Sequence, residues 1–148
     1  MLKDTLIKLF TRDLNALKHE VDLYKDEKNL WIVTKDISNC AGNLCLHILG
    51  NLNHFIGATI GNSGYVRQRE LEFSLKDVSK TELIKQVDDT IIVVEKILDS
   101  LKDEDLQKEY KRSVFEDTMT TEYFLVHLTM HLAYHLGQIN YHRRLLDK

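Results

Sequence analysis

Three histidines, His127, His131 and His135, recur at intervals of four near the C-terminal end of the chain. An α-helix advances ~100° and ~1.5 Å per residue, so residues four apart share a face, roughly 6 Å apart along the axis. Two imidazoles in that relation can converge on one divalent ion through their neutral ring nitrogens. All three cannot, because His127 and His135 lie about 12 Å apart along the axis. The apolar residues decide between the pairs. With Leu125, Leu128, Leu132, Leu136 and Ile139 at the centre of the buried face, His135 falls roughly 60° away, His131 about 100° and His127 about 140°. His131 and His135 are the expected pair, and His127 is expected to face solvent.

A third ligand must come from another segment. His47 flanks an apolar stripe of Leu44, Ile48 and Leu52, at a helical margin like that of His131. His54 lies about 10 Å further along the same helix and cannot share an ion with it. The candidate set is therefore His47, His131 and His135. Three neutral imidazoles leave coordination positions for water or substrate, as catalytic rather than structural sites do. Zinc or nickel suits imidazole best. Spacing alone leaves a plainer alternative open, in which the histidines are packed residues bonded to neighbours. HExxH and the paired Glu-x-x-His of di-iron bundles are both missing. Glu116, Asp117 and Glu122 read instead as anions at a helix N-terminus.

Four segments carry the helical period that would position these residues. The first, residues 4–24, spaces Leu14, Leu17, Val21 and Tyr24 by threes and fours. The second, residues 39–60, carries Leu44, Ile48, Leu52, Phe55 and Thr59, with Ser38 or Asn39 as its cap. The third carries Ile84, Val87, Ile91, Val94, Leu98 and Leu101 behind the capping box Ser79-Lys80-Thr81-Glu82. The fourth, residues 121–146, holds the histidine series. The chain has no proline and only six glycines, so little interrupts these helices. The expected fold is all-α, a four-helix bundle with two longer connections, in one domain over residues 1–148. Those connections are residues 25–37, with the only tryptophan, Trp31, and residues 61–78, which mix aromatics with Arg67 and Arg69. Connections this long in a compact domain often serve function, and the second suits a lid or an anion contact, with a tethered crossover that covers the bundle end as the plainer and favoured reading.

Composition narrows the classes. At 148 residues with a net charge of -3, the chain can bury a core without staples, and its lysines are interleaved with acids. Nucleic acid is a poor partner for such a surface. No apolar run is long enough for a membrane span and the N-terminus lacks a signal-peptide pattern, so the expected location is cytoplasmic. Cys40 and Cys45 are expected to be reduced packing residues. Apolar residues off the helical seams, such as Ile7, Phe124 and Tyr141, suggest a homodimer.

The stretch Asn43-Leu44-Cys45-Leu46-His47-Ile48-Leu49-Gly50-Asn51-Leu52-Asn53-His54, together with His131-Leu132-Ala133-Tyr134-His135-Leu136-Gly137-Gln138-Ile139, resembles the DinB-like (YfiT-like) metal-dependent superfamily. Within it the chain is similar to a branch of uncharacterised bacterial proteins. The resemblance spans essentially the whole chain. It implies a four-helix bundle, often dimeric, with a divalent metal on His47, His131 and His135. Leu136 stands where many members have arginine. Relatives with known reactions include thiol-dependent S-transferases and isomerases. Two functions are therefore expected alternatives. One is an enzyme whose metal activates a low-molecular-weight thiol against a small electrophile, or acts in a hydrolase-like way. There Asn51 and Gln138 would meet the ligand, and Arg67, Arg69 or Arg143 would hold a substrate carboxylate. The other is a non-catalytic dimeric module whose metal or histidines are structural or sensory.

Overall fold

The computed structural model describes residues 1–112 and 114–148. Among these residues the chain is all-α, with one isolated bridge, Glu109 to Thr120, and no strand. Six α-helices are present: α1 (Leu2–Asp22), α2 (Ala41–Leu52), α3 (Arg69–Ser74), α4 (Lys80–Ser100), α5 (Asp103–Gln107) and α6 (Thr121–Leu146). A 3-10 turn (Glu27–Trp31) follows α1, and α2 runs on into a π-helical turn, Asn53–Ala58. Two short helices, α3 and α5, thus join the four expected from periodicity. Both lie in connections, where too few residues repeat for a period to show.

Local signals account for the long helices. Ser79 caps α4 by accepting from the Glu82 amide, and Thr120 caps α6 by accepting from the Tyr123 amide. The capping box on α4 is only half made, because Glu82 Oε1 accepts from Gln86 instead. Cys40, rather than Ser38 or Asn39, is the N-cap of α2, and its thiol donates to Asn43 Oδ1.

Helix α1 packs on α4 and α6, and α2 packs on the same two helices from the other side. Leu14, Leu17, Val21 and Tyr24 are buried as their spacing predicts. On α4 the buried stripe is instead Leu83, Val87, Thr90, Val94, Ile97 and Leu98, with Ile84 and Ile91 at its margin. Thr90 escapes an apolar count yet sits inside, because its hydroxyl donates to Gln86 O and accepts from Asn53 Nδ2. Every residue of α2 is buried. That overturns the expectation of one narrow seam on this helix. α3 and the 3-10 turn cover the faces that α4 and α6 leave. Trp31 lies so close to Gly42 that a Cβ there would come within 2.6 Å of its ring.

The last turns of α6 hold the connection after α1. His142 Nδ1 accepts from the Tyr24 hydroxyl at 2.7 Å while Nε2–H donates to Ile32 O at 2.8 Å. Asp147 accepts from the Lys25 amide and Asn29 Nδ2. Cys40 and Cys45 are buried free thiols, and burial pushes Cys45 up to about 12. Among the described residues no helix is long and apolar enough to cross a membrane.

Candidate metal centre

Helices α2 and α6 run antiparallel through the site: Phe55 meets Phe124 near one end, and eight residues earlier on α2 His47 meets His131. That register sets His47 opposite both members of the i, i+4 pair. His47 Nε2 lies 3.2 Å from His131 Nε2, which lies 3.1 Å from His135 Nε2. One nitrogen from each of the three rings falls within 4.8 Å of the others. The rings meet edge to face, with centroids 4.5–5.1 Å apart.

The outer nitrogens are held as well. His47 Nδ1–H donates to Glu72 Oε1 at 3.0 Å, and His135 Nδ1–H donates to Gln138 Oε1 at 2.7 Å. A ring that spends its proton on Nδ1 presents a lone pair at Nε2. Two lone pairs therefore point at His131 Nε2, which carries at most one proton. Three converging nitrogens share one hydrogen, so a cation satisfies them better than hydrogen bonding does. The charge states agree. Burial first, then the neighbouring His135 and His47, push His131 down to about 4. Burial also lowers His135, against the opposing bond to Gln138. In the folded chain both are neutral near pH 7, the state a metal requires.

Glu72 comes from α3, inside the connection over residues 61–78. Burial acts to raise its pKa, but the bonds from Arg67 and His47 outweigh it and the net shift is downward. Arg67 grips it with two bonds of 2.9 Å, Nε to Oε2 and Nη2 to Oε1. Two features of α2 make room for α3. Asn43, one turn before His47, donates to Glu72 O and Leu75 O, and its Oδ1 accepts from Lys76. Gly50, one turn after His47, leaves the space Glu72 occupies: a Cβ there would lie 2.0 Å from Glu72 Oε2. Phe73 closes over the His47 ring at 4.8 Å.

The remaining candidates fall as follows. Gln138 is an exposed partner of His135. Asn51 is buried one turn beyond His47, and its Oδ1 has no hydrogen-bond partner among the described residues. Arg67 is paired with Glu72 through Nε and Nη2. Arg69 lies over the Phe73 ring, and Arg143 pairs with Glu20 at 2.7 Å. His127 stays out of the cluster, but it is half-buried between Phe115 and Phe124 rather than facing solvent. The helical wheel missed this because residues outside α6 cover that margin. Glu122 lies in the first turn of α6, while Glu116 and Asp117 precede the helix. Sequence reasoning missed Glu72. Its only signal was an arginine five residues ahead of it in an aromatic-rich connection.

A cleft of about 550 Å3 opens beside the cluster, lined by His135, Gln138, Tyr134, Tyr141 and residues of the 34–39 connection. A second cavity of about 400 Å3 lies between α2, α3 and α4, on the side of Glu72 and Gly50.

Residues 4–148 match the family described as "Protein of unknown function (DUF1572)", and the chain belongs to that family. No curated protein matches the sequence.

Proposed function

We propose that His47, His131 and His135 hold one divalent cation in an open site that acts on a small molecule entering the cleft beside His135. On this reading the chain is a single DinB-like (YfiT-like) four-helix bundle, and its reaction is metal- and thiol-dependent S-transfer or a related hydrolysis. One observation carries it: three imidazole nitrogens within 4.8 Å of one another, with two outer nitrogens already committed to Glu72 and Gln138. A divalent cation, when bound, supplies Lewis acidity that lowers the pKa of a thiol or water beside it.

The chain's own residues supply the rest. Glu72 and Arg67 hold the His47 ring in the tautomer that presents Nε2, and Gln138 does the same for His135. Arg67 and Glu72 cancel each other's charge, and burial keeps His131 and His135 neutral near pH 7. An anionic ligand in the cleft is therefore not opposed by a carboxylate at the site. Asn51 offers a buried carbonyl oxygen to a donor group on a bound molecule.

Metal analysis of the purified protein, with a cobalt-substituted sample, tests this. About one divalent ion per chain is expected, lost in His131→Ala and His135→Ala but kept in His127→Ala. Cobalt absorption should shift when a small thiol, azide or imidazole is titrated in. A metal lost from His127→Ala and kept in His131→Ala would overturn the ligand set. A spectrum that no added ligand perturbs would mean a closed site and remove the enzyme reading.

A further inference from the structure

Helix α3 is tied to α2 by Asn43 and seated where Gly50 admits Glu72, but its contacts with α4 are sparse. The cavity of about 400 Å3 between α2, α3 and α4 is the consequence. At ~30 Å3 for each water-sized group it has room for on the order of ten non-hydrogen atoms, at the small end of ligand pockets. Its walls differ. Leu46 and Leu49 of α2, Leu71 and Leu75 on the α3 side and Val93 of α4 make one part apolar. Leu71, Leu75 and Val66 stay 40%, 42% and 81% exposed at the mouth, so apolar surface is gathered here rather than scattered.

The other part offers acceptors. Asn53 commits its amide nitrogen to Leu49 O and Thr90 Oγ1, which leaves its carbonyl oxygen. Asp89, next to Thr90 on α4, gives Oδ2 to Lys85 and keeps Oδ1. Among the described residues Glu72 Oε2 accepts one bond, from Arg67 Nε. The described lining thus holds two carboxylates and no Lys, Arg or His.

We infer that this cavity is a second ligand site and takes a small organic cation, with an apolar body between α3 and α4 and an ammonium group toward Asp89 and Asn53. The charges select that class. An ammonium brings three donors and no acceptor to a wall of acceptors. An anion would meet Asp89 and Glu72, and an apolar molecule without a donor would gain nothing from the Asn53 oxygen. Glu72 belongs to both sites, since it borders this cavity and holds His47. A cation seated here draws on the carboxylate that orients His47, so the two sites weaken each other's ligands. That coupling alone rests on the proposed metal site.

Titration of the full chain with 2-phenylethylamine, followed by calorimetry and by backbone amide NMR shifts, tests the site. The amine should bind once per chain, about tenfold or more tighter than 3-phenylpropionate, and should shift amides of residues 65–75 and 86–93. Asp89→Asn should weaken the amine about fivefold and leave the binding of 2-phenylethanol unchanged. The Asp89 side chain is 59% exposed, so this variant should fold. Val93→Phe fills the space and should weaken amine and alcohol alike. Amine binding should persist in His131→Ala, which separates failure of this site from failure of the metal reading. Equal binding of amine and acid, or amine binding unchanged in Asp89→Asn, would overturn the inference. So would shifts confined to the cleft beside His135, or no saturable binding of the amine up to about 10 mM.

Discussion

The two helices that supply the candidate ligands are built in opposite ways. Helix α2 is buried along its whole length, and its histidine is held by Glu72, Arg67 and Phe73 from α3 and the segment before it. Helix α6 is buried on one face only, its candidate ligands His131 and His135 are half-buried, and the outer nitrogen of His135 is held by the exposed Gln138. The comparison separates positioning from access. A ligand set needs one member whose place is over-determined, so that the others have a reference. It also needs a side open to solvent, so that something can arrive. Here α2 is the fixed wall and α6 the open one.

The asymmetry predicts unequal responses to mutation. Glu72→Ala should have the largest effect, since it frees His47 and leaves Arg67 as an unpaired, largely buried charge. Metal affinity should fall about 10–100-fold and stability by about 3–5 kcal/mol, read by chelator competition and urea denaturation. If the Arg67–Glu72 pair is only a surface contact, both numbers will stay near wild type. Gly50→Ala comes next. Alanine favours the helix by up to about 1 kcal/mol, but its methyl occupies the space of the Glu72 carboxylate. A net loss of about 1–3 kcal/mol is expected, together with weaker metal binding. A more stable Gly50→Ala protein would mean that α3 can move aside without cost.

Acid should distinguish the two walls without mutation. His131 and His135 have folded pKa values below the ordinary histidine value, His131 at about 4. Between pH ~6.5 and ~4 the unfolded chain takes up the His131 proton and the folded chain does not, and the lowered His135 acts in the same direction. Stability of the metal-free protein should therefore fall as pH drops through that window and level off below it. The effect should be on the order of 1 kcal/mol, reduced by the partial exposure of both rings. Thermal melts across the window, with and without metal, give the answer, and a flat profile for the metal-free protein would contradict it. Gln138→Ala should do least. Its side chain is exposed, so stability should change by no more than about 0.5 kcal/mol and metal affinity by less than in Glu72→Ala. A larger loss from Gln138→Ala than from Glu72→Ala would reverse the comparison.

Much of this architecture was legible in the residues alone. The span of α6 follows from its period, and α4 starts where Ser79 stands ahead of Glu82. The pairing of His131 with His135 follows from 100° per residue, and His47 from its place beside the α2 stripe. Each depends on backbone geometry within a few turns, which neighbouring residues encode directly. The reading went wrong where a distant segment decides. His127 was expected in solvent, but Phe115 from the preceding connection lies against it. Thr90 was left out of the core, yet Asn53 makes its burial tolerable. The Arg67–Glu72 pair, which no local pattern announces, forms only where α3 folds back on α2.

The sequence by itself determined where the four long helices run, that α1 buries Leu14, Leu17, Val21 and Tyr24, and which three histidines could meet. Only the tertiary structure decided that α3 covers α2, that Gly50 admits Glu72, and that a cavity is left between α3 and α4. Helical period is set by hydrogen bonds four residues apart, so it is written locally. Which element covers a face depends on contacts between segments far apart in the chain, and such contacts leave no period to read.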